Sequence, residues 1–214
     1  MISDEPVTYI IDDDKAVRDS LQWLIESVGL NVKTYETAQS FLEDVDHNAA
    51  GCIVLDVRLP GMSGLDLLEH MERININLPT IMITGHGDVP VAVRAMKAGA
   101  VDFIEKPFSD QVLLDRVREA LTRDKENRRN AAEMGEIQIR LAKLTPRERQ
   151  VMKLVVQGML NKQIATELGL SHKTIEVHRA HVMEKMGATS LAELVRMVVA
   201  CEENTEVQSP TTQG

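Results

Sequence analysis

The sequence is poor in cysteine and in aromatic residues, and it has no apolar run long enough to cross a membrane. Its 214 residues include two cysteines, Cys52 and Cys201, and only 3% aromatic residues. Two cysteines exclude the disulfide frameworks that stabilise small secreted domains. A membrane-spanning helix needs about 20 consecutive apolar residues, and the opening stretch MISDEPVTYIIDDD is acidic where a secretory signal would be basic. We therefore expect a cytoplasmic protein.

Charge is unevenly distributed along the chain. Residues 1–122 carry 10 Lys or Arg against 21 Asp or Glu, a net charge of −11, whereas residues 123–200 carry 14 against 9, a net charge of +5. Residues 201–214 have three glutamates, no basic residue and several Ser, Thr, Pro and Gln, a composition typical of a disordered tail. The asymmetry predicts two domains with different partners, and only the second is a candidate for nucleic-acid binding.

Five short apolar runs in the first half alternate with stretches of helical periodicity. The runs cover residues 7–11, 32–35, 52–55, 80–83 and 101–104. This alternation predicts a parallel sheet with helices on both faces, and right-handed crossovers restrict it to a doubly wound, flavodoxin-like domain. The second half shows only helical patterns. The predicted fold class is therefore a five-stranded parallel α/β domain followed by a small all-α domain.

Polar residues stand at the carboxyl ends of four of these runs. They are Asp12 and Asp13, Asp56, Thr84 and Lys106. Strand ends of a parallel sheet meet at one edge, where three carboxylates would repel one another unless a cation such as Mg²⁺ were bound. An aspartate can attack phosphorus, and a lysine and a hydroxyl can stabilise the phosphoryl oxygens. Each residue alone would be an ordinary loop residue, as Asp14 is predicted to be a helix cap; together they predict a phosphoryl-accepting site.

The motifs around these residues resemble those of a response-regulator receiver domain. The similar stretches are IIDDD at 10–14, VLDVRLPGMSGLDLL at 54–68, TGHGD at 84–88 and AVDFIEKPF at 100–108. Within a receiver domain predicted over residues 1–122, the resemblance implies that Asp56 is the phosphoacceptor and forms a 4-aspartylphosphate. It also implies that Mg²⁺ or Mn²⁺ is bound by Asp13, Asp56 and the backbone carbonyl of Arg58, with Asp12 contributing through water.

The same resemblance implies roles for residues that respond to the phosphoryl group. Lys106 would pair with the phosphoryl oxygens, and its bond to Pro107 is expected to be cis. Thr84 would be the switch hydroxyl. Phe103 stands where the family has a switch aromatic residue, and it lacks the hydroxyl that a tyrosine would offer there.

Residues 123–143 form a charged, helix-permissive connection without proline. Met134, Ile137, Leu141 and Leu144 recur at spacings of three, four and three. Such a stripe suits either a coiled coil or a helix packed on a neighbouring domain. We favour a linker helix that packs on the neighbouring domain.

Four helices are predicted in the second domain, residues 144–200. Thr145 and Glu148 form a capping-box pattern with proline between them. Asn161, Ser171 and Ser190 are expected to cap the helices that follow. Two short helices separated by Gly-Leu-Ser at 169–171 have helix-turn-helix proportions. On the third helix, a wheel places Ile175, Val182 and Met186 towards the core and leaves a short-chained outer face that suits a DNA major groove.

The stretch LTPRERQVMKLVVQGMLNKQIATELGLSHKTIEVHRAHVMEKMGA resembles a LuxR-type helix-turn-helix of the FixJ branch. Many relatives have lysine where this chain has Glu176 and Ala180, and a glutamate can accept a hydrogen bond from cytosine. The predicted DNA-contacting residues are Asn161, Lys162, Ser171, Lys173, Thr174, Glu176, Val177, His178, Arg179, Ala180, His181 and Lys185.

Taken together, the sequence resembles a two-component response regulator of the FixJ/NarL type. The resemblance implies a sensor histidine kinase that phosphorylates Asp56, a homodimer of the phosphorylated form, binding to promoter DNA and contact with RNA polymerase. It implies no enzyme activity beyond the protein's own phosphorylation and dephosphorylation. Two alternatives stay open: an aspartate-nucleophile phosphatase, which would have a second aspartate where Arg58 stands, and a ligand-gated LuxR-type regulator, which would need an apolar pocket instead of the acidic cluster.

Overall fold

The computed structural model describes residues 5–85 and 89–207, with side chains described up to residue 201. The chain divides into two compact units, Met1–Arg128 and Arg129–Gly214. No helix within the described part of the chain is long and apolar enough to span a membrane. The domain bounds given above remain predictions.

The first unit is a five-stranded parallel sheet with helices on both faces, which confirms the predicted fold class. The sheet has the order β2-β1-β3-β4-β5, and all neighbouring pairs are parallel. The elements, in chain order, are β1 (Val7–Ile11), α1 (Lys15–Glu26), β2 (Asn31–Tyr35), α2 (Ala38–Asp44), β3 (Gly51–Asp56), α3 (Gly64–Arg73), β4 (Thr80–Thr84), α4 (Val89–Lys97), β5 (Asp102–Glu105) and α5 (Asp110–Ala142).

Strand β3 is buried along its whole length because it lies at the centre of the sheet. Its alternate side chains enter two separate cores. Ile53 packs with residues of α2 and α3 on one face, and Val54 packs with residues of α1 and α5 on the other. A strand covered on both faces has no polar positions until it ends, so Asp56 marks the point at which β3 leaves the core.

Helix α4 carries an apolar stripe on its exposed side. Val89, Val93 and Met96 are 77%, 47% and 50% exposed, whereas Ala95 is fully buried. Although its spacing is helical, the stripe does not belong to the core. Such a face on the described surface is available to another molecule.

The second unit is helical. Besides the end of α5, it contains α6 (Pro146–Val156), α7 (Asn161–Leu168), α8 (His172–Met186) and α9 (Leu191–Val207). Ile137 and Leu144 are buried in its core, with Met134 and Leu141 packed against them. The stripe of the connecting segment therefore packs on this unit, as we favoured over a coiled coil.

Most helix caps are as predicted. The Thr145 side chain accepts from the Glu148 N–H while the Glu148 carboxylate accepts from the Thr145 N–H, which completes the capping box. Ser171 accepts from Thr174 N at 3.1 Å, and Ser190 accepts from Glu193 N at 3.2 Å. Asp14 also caps its helix, through Ala16 N.

Two predictions for the second unit were wrong. Asn161 is the first residue of α7 and not its cap; the cap is Leu160, whose N–H donates to the Gln163 side chain at 2.8 Å. Residues 201–207, expected to be disordered, continue helix α9, and the buried Cys201 joins Leu194 in the core. Burial of Cys201 packs the first residue of this segment against the core, so the helix does not end where the composition becomes polar. Residues 208–214 lie outside the described part.

Candidate functional site

Four strands of the first unit end at one edge of the sheet and bring the predicted polar residues together. Asp12 follows β1, Asp56 ends β3, Thr84 ends β4 and Lys106 follows β5. The Lys106 N–H donates to the Thr84 carbonyl at 2.7 Å, which continues the ladder between β4 and β5 past the end of β5. The shared edge follows from the parallel register of the sheet.

Lys106 lies between two buried carboxylates. Its Nζ donates to Asp12 Oδ2 and to Asp56 Oδ1, each at 2.8 Å. Burial raises the pKa of Asp56, although the hydrogen bond from Lys106 acts against it. Burial alone would lower the pKa of Lys106, but its hydrogen bonds to Asp12 and Asp56 outweigh burial and raise it. The lysine therefore remains charged, and its hydrogen bond opposes the effect of burial on Asp56.

The second oxygen of Asp56 is held by the backbone. Asp56 Oδ2 accepts from Arg58 N at 2.6 Å, and the Gly64 N–H donates to the Val57 carbonyl at 3.0 Å. A Cβ on Gly64 would stand 2.1 Å from the Asp56 carbonyl oxygen. Because only glycine permits this approach, Gly64 sets the path of the backbone around Asp56. This role of Gly64 was not predicted from the sequence.

The turn after β1 presents Asp13 on the surface, next to the buried Asp12. Within the described part of the chain, no three His, Cys, Asp or Glu side chains are placed to hold a metal ion by themselves. Mg²⁺ takes one or two carboxylates and keeps several waters. The donors that resemblance implies, three carboxylates and the Arg58 carbonyl, are all oxygens and fit that preference in chemistry.

The residues expected to respond to phosphorylation lie near the same edge. Thr84 is buried, and Phe103 is half-buried against the core that contains Leu55. The Lys106–Pro107 peptide bond is cis, as the resemblance implied. Residues 86–88 of the TGHGD motif lie outside the described part.

In the second unit, the twelve predicted DNA-contacting residues lie in α7, in α8 and at Ser171, which caps α8. Ile175, Val182 and Met186 of α8 are buried, as predicted. The exposed residues of the set are Lys162, Ser171, Lys173, Glu176, Val177, Ala180 and His181, and those of intermediate exposure are Asn161, Thr174, His178, Arg179 and Lys185. The outer face of α8 is therefore accessible along most of its length.

Four residues of this set, Asn161, Arg179, His181 and Lys185, take part in polar contacts between helices of the unit. Arg179 Nη1 donates to Asn161 Oδ1 at 3.0 Å, which connects α8 to α7. Lys185 Nζ donates to both Glu148 oxygens at 2.9 and 2.7 Å, and His181 Nδ1 lies 3.6 Å from Glu148 Oε1. The hydrogen bond from Lys185 is the main cause that lowers the pKa of Glu148 to about 2. These contacts connect α8 to α6 and α7, and a DNA contact of the same side chains remains a prediction.

Two family models match the chain. The response regulator receiver domain matches residues 8–118, and the family of bacterial regulatory proteins of the luxR type matches residues 142–198. Together they cover both units.

Curated relatives and two solved full-length structures match over nearly the whole chain. Nodulation protein W of Bradyrhizobium diazoefficiens is 48% identical over 91% of this chain and 86% of its own length. The transcriptional regulatory protein FixJ of Azorhizobium caulinodans is 50% identical over 89% and 90%. The structure of the response regulator StyR has a TM-score of 0.81 at 43% identity over 91% and 98%, and full-length FixJ from B. japonicum has 0.57 at 46% over 92% and 98%.

This chain belongs to the response regulators with a LuxR-type DNA-binding domain. It is a transcriptional regulator of the phosphorylation-dependent kind, and its receiver domain implies a cognate kinase. Receiver domains generally bind Mg²⁺ at their phosphorylation site.

Another buried acid of this response regulator was not identified from the sequence. Asp124 of α5 is 5% exposed, and its Oδ2 accepts from Gly51 N at 3.0 Å, at the start of β3. One turn later, Arg128 Nη1 donates to the carbonyls of Asn48 and Ala49 at 2.7 and 3.0 Å. Both residues fall in the charged segment interpreted as a linker. A single sequence offers no signal that separates these two from their solvated neighbours.

Proposed function

We propose that Asp56 of this response regulator accepts a phosphoryl group from the phosphohistidine of a sensor kinase. The observation that carries the proposal is the Lys106 ammonium held between Asp12 and Asp56 at the carboxyl edge of the sheet. A phosphatase alternative would need a second aspartate at the position of Arg58. The ligand-gated alternative would require an apolar site where this charged cluster stands.

The reaction uses the two oxygens of Asp56 differently. One oxygen attacks phosphorus while the bond from phosphorus to the histidine nitrogen breaks, and the other keeps the backbone N–H of Arg58 as its donor. Lys106 then donates to the phosphoryl oxygens in place of the free carboxylate. A divalent cation, Mg²⁺ or Mn²⁺, held by Asp12, Asp13, Asp56 and the Arg58 carbonyl would neutralise charge on those oxygens. The chain catalyses only its own phosphorylation and dephosphorylation.

Phosphorylation would act on the rest of the receiver through Thr84 and Phe103. The phosphoryl group adds about two negative charges at neutral pH, which gives the Thr84 hydroxyl an acceptor and lets the Phe103 ring fill the space that Thr84 leaves. The surface of α4 and β5 changes as a result. The exposed Val89, Val93 and Met96 of α4 support a homodimer through that surface.

A dimer would present two copies of α8 to half-sites about one DNA turn apart. The exposed face of α8 would lie in the major groove, where Lys173, Glu176 and Val177 reach base edges or phosphates and Glu176 accepts from a cytosine. The other predicted residues would contact the DNA backbone or hold in place the side chains that contact bases. RNA polymerase is the expected partner at the promoter.

Phosphorylation and assembly can be tested on the full chain. We expect acetyl phosphate with Mg²⁺ to add one phosphoryl group to the wild type, detected by intact mass, and to add none to Asp56→Asn. Asp66→Asn, the same change on the exposed surface of α3, is the matched control and should be phosphorylated normally. Beryllofluoride with Mg²⁺ should convert wild type, but not Asp56→Asn, from monomer to dimer in light scattering. Phosphorylation of Asp56→Asn would disprove the site.

A second pair of variants tests whether the exposed face of α8 binds DNA. Lys173→Ala removes an exposed charge from α8, and Lys143→Ala removes one from the turn that follows α5. We expect only Lys173→Ala to weaken promoter binding, with phosphorylation unchanged in both. Equal weakening would mean that net charge and not the α8 surface carries the binding.

A further inference from the structure

An arginine of helix α1 lies largely buried beside the acidic edge and has no role in the proposed phosphoryl transfer. The Arg18 side chain is 12% exposed, and its Nη2 lies 3.7 Å from Glu36 Oε2. Its Nη1 donates to the backbone carbonyl of Asp12 at 2.6 Å. The guanidinium thus contacts the main chain of the β1–α1 turn and leaves the three carboxylates of the acidic edge to other donors.

The contact completes a set of hydrogen bonds that fix this turn. The Asp12 N–H donates to the Tyr35 carbonyl at 3.2 Å, and Asp12 Oδ1 accepts from Asp14 N at 3.0 Å. Asp14 Oδ1 accepts in turn from Ala16 N at 2.8 Å. With Arg18 on its carbonyl, Asp12 is held at its amide, its carbonyl and its side chain. Asp13 lies between two residues that are both fixed.

We infer that Arg18 is a positioning residue of the acidic site. By holding the Asp12 carbonyl, it fixes the peptide that joins Asp12 to Asp13 and so keeps their carboxylates oriented towards a divalent cation. The inference rests on the proposed cation site. Arginine suits the task because its planar fork can donate to the carbonyl and face Glu36 at the same time.

Positioning and simple electrostatics predict opposite results for a variant without the charge. Arg18 is a cation close to a cation site, so by Coulomb's law alone its removal would tighten metal binding. If Arg18 orients the ligands, its removal weakens binding, because partners that orient metal ligands contribute about 10- to 100-fold in affinity. The sign of the change therefore separates the two roles.

Lys15 offers a matched control on the same helix. Its Nζ pairs with Asp19 at 2.5 Å, and its side chain is 76% exposed. It stands closer in sequence to Asp13 than Arg18 does, and it makes no described contact with the Asp12 carbonyl. Lys15→Met thus removes the same unit charge without removing the positioning contact.

The measurement is Mn²⁺ affinity of the full chain, from the electron paramagnetic resonance signal of the free ion. We expect Arg18→Met to bind Mn²⁺ about tenfold more weakly than wild type, Lys15→Met to bind as tightly or slightly more tightly, and Arg18→Lys to fall between wild type and Arg18→Met. Affinity of Arg18→Met equal to or above wild type overturns the inference, as does equal weakening in Lys15→Met.

Folding and the cation site itself are controlled separately. Circular dichroism of each variant shows whether the unit is folded; if Arg18→Met is not, Arg18→Lys decides, and wild-type affinity in that variant overturns the inference. Failure of the folded wild type to bind Mn²⁺ would instead disprove the proposed cation site, a result distinct from a failure confined to Arg18.

Discussion

Each unit of the molecule contains a buried carboxylate hydrogen-bonded to a lysine, and the two carboxylates differ in their pKa. Asp56 is 7% exposed and Glu148 is 3% exposed. Lys106 Nζ lies 2.8 Å from Asp56 and Lys185 Nζ lies 2.7 Å from Glu148. Yet the pKa of Asp56 is raised, while that of Glu148 is lowered to about 2.

Burial is the largest cause of the raised pKa of Asp56, whereas hydrogen bonds from Lys185 and Thr145 are the largest causes of the lowered pKa of Glu148. Burial raises the pKa of Asp56, and the charge of Asp12, which uses the same ammonium, adds to the effect. Glu148 has Lys185 to itself apart from His181, and the Thr145 N–H donates to it at 2.8 Å. The receiver site thus keeps an excess of negative charge that a cation can offset, whereas Glu148 is satisfied and stabilises its unit.

The position of Asp56 should also depend on the close approach of the Gly64 backbone, for which Glu148 has no counterpart in the contacts described. A Cβ at Gly64 would stand 2.1 Å from the Asp56 carbonyl oxygen, so Gly64→Ala must displace the backbone at Asp56. We expect the receiver unit to lose about 3 kcal/mol, the upper part of the range for overpacking, and to be phosphorylated more slowly. Urea unfolding and the rate of phosphorylation by acetyl phosphate measure both effects.

Gly135→Ala is the control for this variant. Gly135 lies within α5, and no heavy atom stands within 4 Å of the position of an added Cβ. The same substitution should stabilise that helix by up to about 1 kcal/mol. A Gly64→Ala protein as stable as wild type would show that α3 can move away from Asp56 at little cost. It would refute the prediction that the close approach of Gly64 fixes the backbone at Asp56.

The receiver edge could be predicted from the sequence because it depends on one topological rule. Once Val7–Ile11 and Gly51–Asp56 are parallel strands, the residues after them must lie at one edge, and Lys106 joins them from β5. No comparable rule yields the Arg18 contact or the burial of Asp124. Each depends on where a long side chain meets a distant backbone group, which periodicity does not encode.

In the second unit, too, local features could be predicted from the sequence and contacts between distant residues could not. Thr145 and Ser171 were predicted because capping depends on residues within one turn. The cap of α7 was assigned wrongly to Asn161, which is the first residue of the helix and whose side chain accepts from Arg179, 18 positions along the chain. Local signals therefore gave the helices, while the contacts that orient α8 required the structure.

Glu148→Gln tests whether the Glu148 cluster is structural. The glutamine can still accept from the Thr145 N–H, but it loses the charged pair with Lys185. We expect a loss of about 2 kcal/mol, the range for hydrogen bonds to charged groups, seen as faster hydrogen exchange in α6 and α8 with the receiver unit unchanged. Unchanged hydrogen exchange in α6 and α8 would mean that Glu148 does not stabilise its unit, and the contrast drawn between Glu148 and Asp56 would not hold.

The pH dependence of this variant has a definite sign. The pKa of Glu148 is lowered from 4.5 to about 2 in the folded protein, so its stabilising effect is present above pH 4.5 and is lost as the pH falls towards 2. The gap between wild type and Glu148→Gln in urea unfolding should therefore shrink from pH 6 to pH 3. A constant gap would mean that the charge of Glu148 is not the cause.

Asp124 extends the comparison to a buried acid without a hydrogen-bonded lysine, and its variants should have the smallest effects. Asp124→Ala leaves the Gly51 N–H without its acceptor and should cost about 1 kcal/mol, whereas Asp124→Asn keeps an acceptor and removes a buried charge.

Burial raises the pKa of Asp124 in the folded state, so the protonated form is favoured and wild type loses stability as the pH rises above 3.8. Urea unfolding should therefore show Asp124→Asn gaining on wild type as the pH rises from 4 to 7. If Asp124→Asn instead falls behind over that range, attraction to Arg128 outweighs burial, and Asp124 belongs with Glu148 as a paired, structural acid.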